Sequence, residues 1–173
     1  METRFGKVGD RAGRIGVYWI VVILSVLIDQ ATKAAAREVL QNGPRVLIPG
    51  VINLVHVENT GAAFSFGEGA GVLFIGVAIV FIVLATGIVW KNPSLPFSLV
   101  VPLGLVAGGG MGNMIDRILG GSVTDFISTA FMDFPVFNVA DICVTVGIVL
   151  CAIGFWIWDS RSEDTDLDGR GNV

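Results

Sequence analysis

One histidine, one tyrosine and two cysteines are all that 173 residues contain of these types, and only 15% of the chain is charged. These shortages exclude a good deal. With His56 alone there is no His-rich zinc site, no HExxH pair and no obvious Ser-His or Cys-His couple. A P-loop and a dinucleotide-binding glycine fingerprint are missing as well. Cys143 and Cys151 lie in one apolar run, about 12 Å of helical rise apart, too far for a disulfide. They read as small packing residues and say nothing of the redox compartment.

What the chain has instead is apolar length. Hydrophobic residues make up 53% of it, and the mean hydropathy is +0.77. The run 72–90 carries no charge and spans roughly 30 Å as a helix, the thickness of the hydrocarbon layer. Four such segments stand out, at about 15–36, 70–90, 97–119 and 139–158, each able to cross a bilayer as a helix that satisfies its own backbone. The second and third are joined by the short turn Lys91–Ser94 and form an antiparallel pair. The fold class expected is an all-α membrane protein of four transmembrane helices with a small extracytoplasmic β element.

Charge sets the orientation. Arg4, Lys7, Arg11 and Arg14 precede the first span, so residues 1–14 read as a basic cytoplasmic tail. Four spans return the C-terminus to the same side. The outer segments are then 37–69 and 120–138, around a membrane domain of 15–158. Five acids against two arginines from Asp159 onward give −3 of the formal −4, and 159–173 reads as an acidic, disordered cytoplasmic tail. The remainder is nearly neutral, so no nucleic-acid partner is expected. The first span is expected to be retained rather than cleaved as a signal peptide, because Asp29, Gln30 and Lys33 lie where a cleavage region lacks charge.

The outer segment 37–69 differs in texture. Val51–Asn59 is rich in β-branched residues after Pro49–Gly50 and predicts a strand. Asn59–Gly61 reads as a turn, with Phe64 and Phe66 dipping into the interface.

The groups able to carry chemistry are carboxylates and amides, gathered at the outer ends of the spans. Asn113, Asp116 and Arg117 share a face of the third span by their spacing. Asp125 follows just beyond it. Asn138 and Asp141 open the fourth span, and Asp29 with Lys33 ends the first. Ionisable groups at such depth are expensive and are usually functional or paired. Plain structural readings exist for each: Asn138 as a helix cap with Asp141 in its first turn, Asp125 as a loop carboxylate, Asp116–Arg117 and Asp29–Lys33 as ion pairs. Gly104, Gly108 and Gly112 repeat at GxxxG spacing, which signifies close helix packing or a flat wall for a substrate helix. Pro102 is expected to kink the third span.

Carboxylates that share a site cannot both ionise readily, so one keeps a proton while the other acts as base. Such a pair can activate water against an amide carbonyl. The ionised member is better assigned to Asp141, because a helix N-terminus favours negative charge. A small transporter or channel relaying protons or ions is the main alternative, and a non-catalytic assembly subunit another. A transporter calls for polar groups through the bilayer depth, whereas these crowd at one end.

The blocks DQATK (29–33), ENTGAAFS (58–65), GGGMGNMIDR (108–117), VTDF (123–126) and FNVAD (137–141) resemble, in order and register, those of the lipoprotein signal peptidases, or signal peptidase II. The resemblance covers about residues 17–158. It implies a bacterial inner-membrane aspartic endopeptidase that cleaves diacylglyceryl-modified prolipoproteins before the lipidated cysteine, without metal or organic cofactor. It implies a dyad of Asp125 and Asp141. Asn113, Arg117 and Asn138 match positions that orient substrate and dyad, Asp116 one close by, Asn59 and Gly61 the substrate-holding outer loop, and Asp29 with Lys33 a supporting pair. It also implies inhibition by globomycin, contact with membrane lipids and a monomeric state. Thr124 departs from the valine frequent there in the family, and Asp133 lies outside the motif. Neither tail falls within the resemblance.

Overall fold

The computed structural model describes the backbone of residues 3–61 and 70–170 and the side chains of 11–61 and 70–158. Phe64 and Phe66 lie outside the described residues. Seven elements follow in order: α1 (Thr3–Val39), β1 (Arg45–Ile48), β2 (Ile52–Asn59), α2 (Gly71–Lys91), α3 (Phe97–Gly120), β3 (Val123–Thr129) and α4 (Val139–Arg170). Four stretches within the helices are long and apolar enough to cross a membrane: Arg11–Val39, Gly71–Lys91, Phe97–Gly120 and Val139–Trp158. The expected fold class is therefore the one observed.

Local chemistry sets the helix ends. Pro96, extended at ψ 149°, precedes α3, and Gly121 ends it in the left-handed region at φ 77°, its N–H bonding the Arg117 carbonyl oxygen. Asn92 turns the chain between α2 and α3, its side-chain amide donating to the Ile88 carbonyl oxygen at 2.7 Å. α4 does not stop where its apolar run ends. It continues to Arg170, in place of the disordered tail expected from composition. No proline interrupts 159–170, and a helix already started extends by one hydrogen bond per residue. Likewise α1 begins at Thr3, within the basic tail.

α3 is the central helix. Its Gly104, Gly108 and Gly112 lie against α1, and a Cβ built on Gly108 would stand 2.6 Å from Ser25 Cβ and 2.9 Å from the Val22 carbonyl oxygen. Gly109 faces α4 instead, where a Cβ would stand 2.5 Å from the Ala140 carbonyl oxygen. The glycine stripe is thus filled by α1, and its reading as a wall for a substrate helix is corrected: the side chains it lacks are what lets the two backbones meet. Tyr18, Val22, Ala85, Val89, Leu99, Val100 and Ala107 form the apolar core around this seam. Ile20, Ile23, Leu24 and Leu27 on α1 and Val80, Val83 and Leu84 on α2 stand exposed, the face a spanning helix presents to lipid.

The three strands form one antiparallel sheet in the order β1-β2-β3. β2 was expected; β1 and β3 were not. A register shift between Leu54 and Val57 puts one extra residue on β2 against β3. Because strand side chains alternate, this bulge decides which face Glu58 and Asn59 present to β3.

The glycine seam gives a direct test. Gly108→Val should destabilise the protein by ~1–3 kcal/mol, the scale of overpacking, and lower its thermal unfolding midpoint in detergent. Gly76→Ala, whose added methyl meets nothing within 4 Å, should leave that midpoint unchanged or raise it.

Candidate active site

The polar groups of α1, α3, β3 and α4 converge on one buried network. At its base is Lys33, fully buried, whose Nζ donates to Asp29 Oδ2 at 2.8 Å, Asp116 Oδ2 at 3.0 Å and Asn113 Oδ1 at 2.8 Å. Asp29 and Asp116 then spend their other lone pairs on backbone. Asp29 Oδ1 accepts the Ala140 N–H at 2.9 Å, and Asp116 Oδ2 accepts the Thr124 N–H at 3.2 Å. Gln30 donates to both carboxylates and to the Gly112 carbonyl oxygen. The i,i+4 pair on α1 is therefore present. The Asp116–Arg117 pair is not: Asp116 faces Lys33 and Arg37, the latter at 3.6 Å, while Arg117 turns the other way.

Above this base sit the two carboxylates. Asp141 lies in the first turn of α4, where Asn138 and Asp141 bond reciprocally: the Asn138 N–H donates to Asp141 Oδ2 at 3.1 Å, and the Asp141 N–H donates to Asn138 Oδ1 at 3.0 Å. That is a capping box, and both the cap and the site readings of Asn138 hold at once. Asn113 Nδ2 adds a third bond, to Asp141 Oδ1 at 2.8 Å. Asp125 sits on β3, not in a loop, and is 2% exposed. Asn138 Nδ2 donates to its Oδ1 at 2.6 Å, and Asn59 Nδ2 to its Oδ2 at 2.8 Å. Asn138 thus touches both acids.

Asn59 is placed by its turn, in which its own side-chain oxygen accepts the Gly61 N–H at 2.9 Å. The Gly61 carbonyl oxygen in turn accepts Arg117 Nη2 at 2.8 Å. The Arg117 guanidinium lies 5.0 Å over the Phe74 ring, and its buried Nε has no partner among the described residues.

Burial pushes the Asp125 carboxyl up to about 6, and the nearby Asp141 charge adds to this against the Asn59 and Asn138 donors and the more distant Lys33 ammonium. Glu58 goes the other way. Burial alone would raise it, but donors from Ser122, His56 and Thr124 outweigh that and hold it below its ordinary value.

Asp125, Asp141, Asn59, Asn113 and Arg117 line one end of a cavity of about 660 Å³. Its floor is α3, with Val106 and Gly110. Its walls are Phe74, Val77 and Phe81 of α2, Phe134–Phe137, and Ile142, Thr145 and Ile148 of α4. The result is an apolar trough ending at two carboxylates.

All ten site residues named from the sequence fall in or beside this network. Asp133 does not line the trough. Sequence reasoning passed over Gln30, Arg37, Glu58 and Thr124. Thr124 Oγ1 accepts Arg37 Nε at 2.9 Å and donates to Glu58 Oε1 at 3.1 Å, tying α1 to both strands. Three of these four stand inside the recognised blocks, and only their partners were missing from view.

The sequence pattern of the family described as Signal peptidase (SPase) II matches residues 21–157. The lipoprotein signal peptidase of Symbiobacterium thermophilum is 44% identical over 138 residues, 76% of this chain and 88% of that protein. That of Caldicellulosiruptor bescii is 38% identical over 134 residues, 78% of this chain and 87% of its own. A solved structure described as a bacterial membrane enzyme is similar with a TM-score of 0.78 at 30% identity, over 84% of this chain and 91% of that one.

The capping box is testable apart from chemistry. Asn138→Ala removes the cap of α4 together with the amide donor to Asp125 and Asn113, and should cost at least the ~0.5–2 kcal/mol of a lost cap, read as a lower thermal unfolding midpoint.

Proposed function

The chain belongs to the signal peptidase II family, and we propose that it cleaves diacylglyceryl-modified prolipoproteins before the lipidated cysteine, with Asp125 and Asp141 as an aspartic dyad. It is a multi-pass bacterial membrane peptidase that removes signal peptides from prolipoproteins. The observation that carries the finer reading is the meeting of two carboxylates from β3 and α4 at the polar end of an apolar trough.

The chemistry follows from the environments. Asp125, raised to about 6 by burial, keeps the shared proton. Asp141 is the base: it sits at a helix N-terminus and accepts one donor on each carboxylate oxygen, from Asn113 and from the Asn138 N–H. Asp141 takes a proton from water as the water oxygen bonds to the scissile carbonyl carbon. Asp125 donates to the carbonyl oxygen and stabilises the charge developing there. As the C–N bond breaks, the proton held by Asp141 passes to the leaving amine, and Asp125 recovers its own.

The trough suits a signal helix that stays in the bilayer while a lipid-bearing cysteine holds the scissile bond at the membrane surface. The basic residues in the first turns of α1, ahead of its apolar stretch, support cytoplasmic termini and an outer-face site. In this reading Arg117 and Asn59, which line the cavity with the dyad, hold substrate backbone. Globomycin inhibition, contact with membrane lipids and a monomeric state belong to the same reading. The transporter or channel alternative finds no support: the named relatives are peptidases, and α2 is uncharged as far as Lys91.

With purified protein and a lipidated precursor, Asp125→Asn and Asp141→Asn should each lower kcat by at least ~10²-fold, the scale of lost acid–base catalysis, while inserting normally. Near-normal cleavage by either variant would remove that residue from the dyad. The pH profile is a second test. Asp125 is protonated below about 6 and ionised above it, so kcat/KM should decline as pH rises through that region, with an apparent value belonging to the pair. A profile flat from pH ~5 to 8 would contradict the assignment of the proton.

A further inference from the structure

Lys33 touches neither Asp125 nor Asp141, yet it determines what reaches them. A lysine ammonium can only donate, so the Asn113 amide beside it must turn its oxygen toward Nζ, at 2.8 Å. The amide nitrogen is then forced toward Asp141 Oδ1, at 2.8 Å. The same oxygen accepts Asn138 Nδ2 at 3.1 Å, and that nitrogen also donates to Asp125 Oδ1 at 2.6 Å. One buried cation thus fixes a chain of amides whose donors point outward to both carboxylates.

The direction matters because the carboxylates change character during turnover. An ionised Asp141 accepts. Once it has taken the proton of water it becomes a donor, and an amide beside it is then better satisfied with its oxygen turned toward the acid. Such a flip would trap the proton in an Asp141–Asn113 bond, away from the leaving amine. Lys33 is fully buried and takes no part in the proton transfers, so its demand for an acceptor is the same at every stage.

We infer that Lys33 is a positioning residue that locks the Asn113 amide against flipping when Asp141 carries the proton, keeping that proton available to the leaving group. This rests on the catalytic reading of Asp125 and Asp141 and goes beyond it, because an ion pair with Asp29 alone needs no such direction. Asp29 and Asp116 hold Lys33 in place at 2.8 and 3.0 Å. Arg37 backs Asp116, and Arg117 lies on the trough side of Asn113, donating to its carbonyl oxygen at 3.4 Å.

The test uses the full chain, a lipidated precursor and separate kcat and KM. Lys33→Met alone strands a buried carboxylate, so it is made together with Asp29→Asn, and Asp29→Asn alone is the control. The double variant should lose at least ~10-fold in kcat relative to that control, the scale of an outer-layer partner behind a reacting group, with KM within about threefold. Equal kcat in the two would overturn the inference, as would a loss carried wholly by KM. Asn113→Asp provides a variant that keeps an acceptor for Lys33 but sets a carboxyl, in place of the amide donor, against Asp141. Its kcat should fall by a similar factor, and an unchanged kcat overturns the inference even if the double variant fails to fold. Wild-type protein and Asp125→Asn in the same assay separate the two levels. A wild type that does not cleave sinks the catalytic reading, whereas active wild type with an active Lys33 variant sinks this inference alone.

Discussion

An ammonium group removed from water costs several kcal/mol unless acceptors surround it, and Lys33 Nζ has three within 3.0 Å. Much of the architecture is the set of conditions for satisfying that one group. Asp29 comes from its own helix, four residues back. Asp116 and Asn113 come from α3, which must therefore approach α1 closely at this depth. Each acid has lone pairs left over, and these capture the Ala140 N–H at the start of α4 and the Thr124 N–H on β3. The cation thereby locates the two elements that carry Asp141 and Asp125. Two helix-borne acids, joined by one lysine, act as brackets for the two acids proposed to react.

The close approach is possible because α3 gives up side chains along its contact with α1. Lipid supplies no hydrophobic force between helices, so backbone proximity and polar bonds must hold them. At Gly112 the space a Cβ would occupy is taken by the Asp29 carboxylate, whose Oδ2 lies 2.5 Å from that point. The glycine seam and the polar network are thus one device: the first lets the helices meet, and the second gives them a reason to stay. The opposite face of α3 is left to the trough, bounded by α2 and α4, and this separates the helix-packing contact from the surface proposed for substrate.

The strands complete the site from outside the bundle. β3 is anchored at Thr124 by Asp116, Arg37 and Glu58, and the next residue points its carboxyl into the trough. The bulge on β2 sets the facing of Glu58 and Asn59, so one bonds Thr124 and the other Asp125. Burial and a like charge push Asp125 up, while donors hold it in range of neutral pH, a balance suited to the acid role proposed for it.

Much of this was legible in the chain. Uncharged runs long enough to cross a bilayer have few other fates, and carboxylates at their ends are costly enough to mark a site. The periodicity on α1 and at the start of α4 gave Asp29–Lys33 and Asn138–Asp141 as local pairs, because i,i+4 and capping contacts are made within a few residues. Five blocks in register identified the family. What spacing could not give was any contact that crosses between elements. Asn113, Asp116 and Arg117 share a face by arithmetic, yet Asp116 turns to Lys33 and Arg37 while Arg117 turns to Gly61, because packing against α1 divides that face. Asp125 could be read as a loop residue because the ladder that makes β3 a strand is formed with β2, far away in sequence. Local bonding is written in the order of residues. Which orphaned donor meets which acceptor is settled only when the helices close around a charge that none of them can hold alone.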